Sequence, residues 1–148
     1  MVEGNLVIIP PHRLILLDTN VLIHLARNDV TGQAIETQYS LTHRPERPLL
    51  STIVEGAVLS FAYYRQWGNE KIQRLRLLLK NLVRVEAGLP EVVECYARLS
   101  ALARSQGKTM GQNDLWIAAT AQAVNALLLT SDQDFLWLSP EYIQLILV

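Results

Sequence analysis

Short unbroken apolar runs alternate along this chain with longer stretches in which apolar residues recur every three or four positions. Leu14-Ile15-Leu16-Leu17 is too short for a helix and lacks polar alternation, the form expected of a strand buried on both faces. Leu49 to Thr52, Leu82 to Val85, Leu127 to Thr130 and Ile143 to Val148 repeat that form, and Leu6 to Ile9 suggests a further short strand stopped by Pro10-Pro11. The intervening segments read as helices. Thr19 or Asn20 caps one carried by Val21, Leu22, Ile23, Leu25 and Ala26. A second is expected over residues 31–43, a third from about Ile53 to Trp67 where Gly68 breaks it, and a fourth over Glu70 to Asn81 with Ile72, Leu75, Leu78, Leu79 and Leu82 on one face. Gly88 and Pro90 open a fifth, carried by Val92, Val93, Tyr96, Leu99 and Ala103, and Leu115 to Val124 is a small-residue helix suited to close packing on a sheet. His43 to Pro48 is a loop because its two prolines disfavour helix, and Gln106 to Gly111 is a connector. Strands alternating with helices predict an α/β fold with a parallel sheet and right-handed crossovers.

Composition narrows the class. A chain of 148 residues fits one domain, and 50% apolar content supplies a sizeable core. The formal net charge of −1 announces no nucleic-acid partner, but its distribution is uneven: from Ser40 to Arg84, eight cationic residues face three acidic ones. Such an excess attracts phosphate, although each of these residues also suits a solvated helix face. Cys95 is the single cysteine, so no intramolecular disulfide forms, and its place in a helical segment suits a packed thiol. There is no basic start followed by a long apolar core, and no run approaches the length of a membrane span, so a cytoplasmic protein is expected. Residues 1–13 read as an N-terminal extension and 14–148 as a single domain.

The candidate chemistry lies in acids that follow or open the apolar runs. Asp18 follows Leu14 to Leu17, Glu55 follows the run ending at Thr52, Asp114 opens the Leu115 helix, and Asp132 follows Leu127 to Ser131. In a parallel sheet these positions gather at the C-terminal edge of the strands, where open α/β folds place their ligands. Each acid also has an ordinary structural use. Asp18 and Asp132 suit helix or turn caps, Thr52-x-x-Glu55 matches a capping box, and Asp114 in a first helical turn complements the macrodipole. Taken together they point further, because carboxylates that converge must be neutralised, and a hard divalent cation with oxygen ligands does so. His12, His24 and His43 are scattered and form no zinc-type cluster.

Four segments carry a resemblance: Leu16-Leu17-Asp18-Thr19-Asn20-Val21-Leu22-Ile23, Ser51-Thr52-Ile53-Val54-Glu55, Gly111-Gln112-Asn113-Asp114-Leu115-Trp116-Ile117-Ala118-Ala119-Thr120-Ala121, and Leu128-Leu129-Thr130-Ser131-Asp132-Gln133-Asp134-Phe135. In this order and spacing the chain, from about Leu14 to its end, resembles the PIN-domain family, and within it the VapC-type toxins of toxin–antitoxin pairs. The resemblance implies a three-layer α/β/α fold whose five-strand parallel sheet is ordered 3-2-1-4-5. It implies a Mg²⁺- or Mn²⁺-dependent endoribonuclease with Asp18, Glu55, Asp114 and Asp132 as catalytic and metal-binding residues. Asn20 and Thr130 fall on supporting polar positions, and Asp134 is assigned a supporting role behind the ligands. It also implies an antitoxin partner docked on the N-terminal helices and a homodimer, with Tyr39, Phe61, Tyr63, Tyr64 and the leucines of 72–82 as surfaces to inspect.

The residues leave open whether Glu55 binds a cation through water or acts as general base. Arg44 and Arg47 in the proline-bounded loop, and Lys108 before the third acid, are candidate RNA contacts, and Trp67 and Trp116 candidate stacking surfaces, with core packing favoured for Trp116. Three rivals compete. An aspartyl phosphotransferase needs Asp-x-Asp, against Asp18-Thr19-Asn20 here. A receiver domain needs an acid at the third strand's end, where only Glu86 stands. A catalytically silent PIN-like module binding RNA or protein would have its acids lost or unmetallated, and all four acids are present here.

Overall fold

The computed structural model describes residues 8–148. Its chain order is β1 (Ile15–Leu17), α1 (Thr19–Arg27), α2 (Val30–Tyr39), a 3₁₀ turn (Leu41–His43), β2 (Leu49–Ser51), α3 (Thr52–Tyr64), α4 (Asn69–Lys80), β3 (Val83–Val85), α5 (Pro90–Ser105), α6 (Gln112–Ala123), β4 (Leu127–Thr130), a second 3₁₀ segment (Gln133–Leu138) and β5 (Gln144–Leu147). The five strands form one sheet ordered β3-β2-β1-β4-β5, every pair parallel, flanked by helices in an α/β/α arrangement.

The apolar runs are strands because they are covered on both faces. Ile15, Leu16, Leu17, Leu128 and Leu129 are essentially sealed from solvent, in the manner of parallel sheets. β1 and β4 pair Ile15 with Leu127 and Leu17 with Leu129, so their C-terminal ends stop level with one another. The small-residue helix α6 buries Ala118, Ala119, Thr120 and Ala121, which lets its backbone approach closely.

Several boundaries differ from the sequence expectation. The helix expected over 31–43 ends at Tyr39, where Ser40 takes a left-handed conformation (φ 50°), and the remainder is a separate 3₁₀ turn. Thr52 leaves β2 and becomes the first residue of α3, because the Ser51 side chain caps Ile53 N–H at 3.1 Å. α3 stops at Tyr64, short of Trp67, and α6 begins at Gln112 rather than Leu115. The strand expected over Leu6 to Ile9 falls partly outside the described residues, and Ile8 and Ile9 are not in a strand.

Gly32 is required by packing. A Cβ there would stand 2.1 Å from the His24 carbonyl oxygen, so α2 can cross α1 closely only with glycine. Asp29 fixes the turn between them, accepting from Gly32 N–H at 2.8 Å and contacting His24 Nδ1 at 2.8 Å.

Candidate metal centre

The level ends of β1 and β4 create the site. Asp18 donates its N–H to the Leu129 carbonyl at 3.0 Å, which extends the β1–β4 pairing by one residue and brings its side chain beside Thr130. One Asp18 oxygen, Oδ1, accepts from Thr19 N–H at 2.7 Å, so the capping role is real. The other, Oδ2, accepts from the Thr130 hydroxyl at 2.6 Å. Thr130 is fully buried, and its hydroxyl in turn accepts from Asp132 N–H at 3.0 Å. Asp132 Oδ1 then accepts from Asp134 N–H at 2.8 Å. A continuous chain of hydrogen bonds therefore ties the end of β1 to the turn after β4, with Thr130 at its centre.

The first turn of α6 adds Asp114. Carboxylate oxygens of Asp114, Asp132 and Asp134 lie within 4.8 Å of one another. Asp18 stands close enough that its charge and that of Asp132 both act on Asp114. Burial pushes the Asp114 carboxyl up to about 6, and repulsion from Asp132, Asp18 and Asp134 adds to the effect. Asp18 is raised too, chiefly by burial, only partly offset by the Thr130 and Thr19 hydrogen bonds. Among the described residues, no lysine, arginine or histidine forms an ion pair with any of these four aspartates.

That combination passes the chemical test for a hard cation. The donors are carboxylate oxygens, they converge from two strand ends and a helix start, and their mutual repulsion is relieved by no protein cation among the described residues. Asp134, assigned behind the ligands by the sequence, stands in the convergent group itself. Asn20, in the first turn of α1, presents an exposed side chain.

Glu55 is placed differently. Its Oε2 accepts from the Arg84 guanidinium at 2.6 Å, and it is not among the converging carboxylates. The capping-box use is not made either: Ser51 caps α3, and the Thr52 hydroxyl accepts from Ala87 N–H at 3.1 Å. Sequence reasoning missed Arg84 as the partner of Glu55. The only available signal was a cation inside a short strand next to the one that ends before Glu55.

The candidate RNA contacts separate. Arg44 donates to the carbonyls of Pro10, Pro11 and Arg13 at 2.6, 3.1 and 2.8 Å. Those acceptors precede β1, so Arg44 sits at the N-terminal edge of the parallel sheet, opposite the aspartates. Arg47, just ahead of β2, is at that edge as well. Lys108 precedes α6 and lies over the Trp137 ring, with its ammonium 5.8 Å from the centroid, on the aspartate side of the fold. Trp116 stacks on Tyr96 at 4.0 Å and is partly buried, as core packing required, while Trp67 meets Phe61 edge to face. Tyr39, Leu75 and Leu79 are buried, whereas Tyr63, Tyr64 and Leu77 are exposed.

Comparison with known proteins agrees with this geometry. The sequence profile of the PIN domain matches residues 15–138. Ribonuclease VapC1 of Haemophilus influenzae (strain R2866) is 31% identical over 117 residues, spanning 78% of this chain and 84% of that protein. Among solved structures, VapBC-1 from nontypeable Haemophilus influenzae superposes with a TM-score of 0.73 at 25% identity, covering 90% of this chain and 97% of that one. A toxin–antitoxin complex from Klebsiella pneumoniae gives 0.61 at 26% identity, covering 82% and 89%.

Proposed function

The chain belongs to the PIN-domain family, and from that premise we propose that it is an endoribonuclease that hydrolyses RNA phosphodiester bonds with Mg²⁺ or Mn²⁺, acting as the toxin of a toxin–antitoxin pair. The observation that carries this reading is the convergence of Asp114, Asp132 and Asp134, with Asp18 near enough to act on Asp114, at one strand edge with no protein counter-charge among the described residues. The named relative is a ribonuclease, and solved neighbours are VapBC and toxin–antitoxin complexes.

In this mechanism Asp114, Asp132 and Asp134, with Asp18 beside them, would hold the cation. A bound cation would supply Lewis-acid polarisation and offset charge on the phosphoryl oxygens. Thr130 fixes Asp18 by donating to Oδ2, which leaves the remaining lone pairs of that carboxylate for the crevice. Asp132 is oriented by its bond from Asp134 N–H, so its second oxygen is the one presented. Asp114, whose carboxyl burial and its acidic neighbours push up to about 6, would be held as a carboxylate beside a bound cation. Glu55, engaged by Arg84, acts at the rim and not as a direct ligand.

The partner reading follows the same relatives: an antitoxin covering the acidic crevice, and a homodimer. The exposed Tyr63, Tyr64 and Leu77 are the apolar side chains we assign to such contacts. Among the described residues no helix is long and apolar enough to cross a membrane, and we place the protein in the cytoplasm, where RNA is met.

Purified protein should cut cellular RNA in Mn²⁺ or Mg²⁺, lose that activity in EDTA, and lose it on Asp18→Asn while keeping its circular dichroism. Undiminished cleavage by Asp18→Asn, or in chelator, would refute the proposal. Absence of stoichiometric Mn²⁺ binding in calorimetry, together with no cleavage of any RNA, would favour the silent-module alternative.

A further inference from the structure

A second polar feature lies on the β3 flank, running from Glu55 at the C-terminal edge of the sheet toward Lys80, which ends α4 just before β3 begins. A cavity of about 310 Å³ is lined by Leu50, Glu55, Arg76, Leu79, Lys80 and Arg84. Glu55 is its only acid, and Arg84 already neutralises it. Arg76 donates to the Tyr63 hydroxyl and meets no carboxylate, and Lys80 has no carboxylate partner either, among the described residues. The cavity therefore keeps two uncompensated positive charges in a concave setting with an apolar floor. α4 supplies Arg76 and Lys80 four residues apart, so both heads project from one helix face.

Position gives that charge a ligand. β3 is an edge strand, two places from β1 in the sheet, which is about 10 Å at the usual strand spacing. Glu55 stands in the first turn of α3, directly after β2, the strand between them. A polynucleotide entering the aspartate crevice from this side presents a phosphate every few ångströms of its length. We propose that Arg76 and Lys80, with Arg84 held in place by Glu55, bind a backbone phosphate of the RNA strand where it passes along the outer side of β3, away from the bond being cut. This assignment rests on the ribonuclease reading and adds to it a subsite that fixes the strand's path over β3. An anionic peptide is the competing occupant, disfavoured because only a polynucleotide would continue from this cavity to a phosphodiester at the cation site.

The test uses the full chain carrying Asp18→Asn, so that RNA binds without being cut. Binding of a fluorescein-labelled oligouridine is followed by anisotropy across a salt series in Mn²⁺. Arg76→Gln with Lys80→Gln should weaken binding by about tenfold and reduce the slope of log K against log salt by about 0.7 for each phosphate no longer neutralised. The charge-preserving pair Arg76→Lys with Lys80→Arg should restore both, and Arg98→Gln, on α5 beside Glu94, should change neither. An unchanged slope in the Gln pair, or a weakening that the charge-preserving pair does not restore, overturns the subsite. So does polyglutamate binding that the Gln pair abolishes while RNA affinity stays the same. Cleavage by the wild-type chain is scored separately. If RNA is cut but the slope does not move, only the subsite falls, whereas absence of any RNA cleavage removes the ribonuclease reading itself.

Discussion

Replacing Asp114 by Asn should make the cation-free protein more stable. Its carboxyl is carried from 3.8 to about 6 on folding, by burial first and by Asp132, Asp18 and Asp134 after that. Such a difference corresponds to about 3 kcal/mol against the folded state once the group is ionised. Asp114 is partly open to water, and solvent screening reduces this to about 1–2 kcal/mol. The folded state holds the proton more tightly than the unfolded one, so this contribution to stability falls as pH rises from about 4 to about 6 and is fully lost above about 7. Asp114→Asn should therefore raise the melting temperature in EDTA at pH 8 by about 2–8 °C, given about 2–4 °C per kcal/mol in a domain of this size. At pH 4 the gain should vanish. Adding Mn²⁺ should reverse the order, because the wild type gains binding free energy that the variant cannot. Differential scanning calorimetry of both proteins at the two pH values settles it. Equal melting temperatures at pH 8, or a gain at pH 4 as large as at pH 8, would refute the electrostatic reasoning.

Other consequences follow from the same geometry. Thr130→Val removes the donor to Asp18 and the acceptor for Asp132 N–H, and should cost about 1–3 kcal/mol in urea unfolding. It should also weaken Mn²⁺ binding by about 10- to 100-fold in calorimetry. Cation affinity in the wild type should climb as pH rises toward about 6 and level off beyond it, since protons compete for Asp114; a flat profile between pH 5 and 7 would count against that. Gly32→Ala forces a methyl to within 2.1 Å of the His24 carbonyl and should destabilise by about 1–3 kcal/mol or displace α2, which thermal melts will detect.

The sheet was legible because each apolar run is its own signal: Leu14 to Leu17 and Leu127 to Thr130 need no partner to be recognised as buried strands. Asp18 and Asp132 were equally legible, since each stands just past such a run and strand pairing alone brings them together. What failed depended on contacts between residues far apart in the chain. Glu55 and Arg84 are 29 residues apart, and no local pattern shows that the Thr52-x-x-Glu55 box gives way to a Ser51 cap and an ion pair. Arg44 looked like a free loop cation, but its three acceptors lie more than 30 residues earlier. The end of α2 turned on one backbone conformation at Ser40, a residue that equally suits a helix interior. A two-residue step from Asp132 made Asp134 a sequence neighbour, but only the 3₁₀ turn brings both carboxylates to the same opening.

The Arg44 contacts also bear on how the protein should be handled. Similarity to the PIN domain begins at residue 15, which invites trimming everything before it. Yet the carbonyls of Pro10, Pro11 and Arg13 hold one guanidinium, and Arg13 itself reaches across to the Asn125 carbonyl and Gln144. The stretch from Pro10 to Arg13 thus works as a clasp binding the start of β1 to the loops before β2 and β4 and to the first residue of β5. A version cut at the homology boundary would keep every aspartate and still leave Arg44 with three broken bonds, so shortened versions should start no later than Pro10.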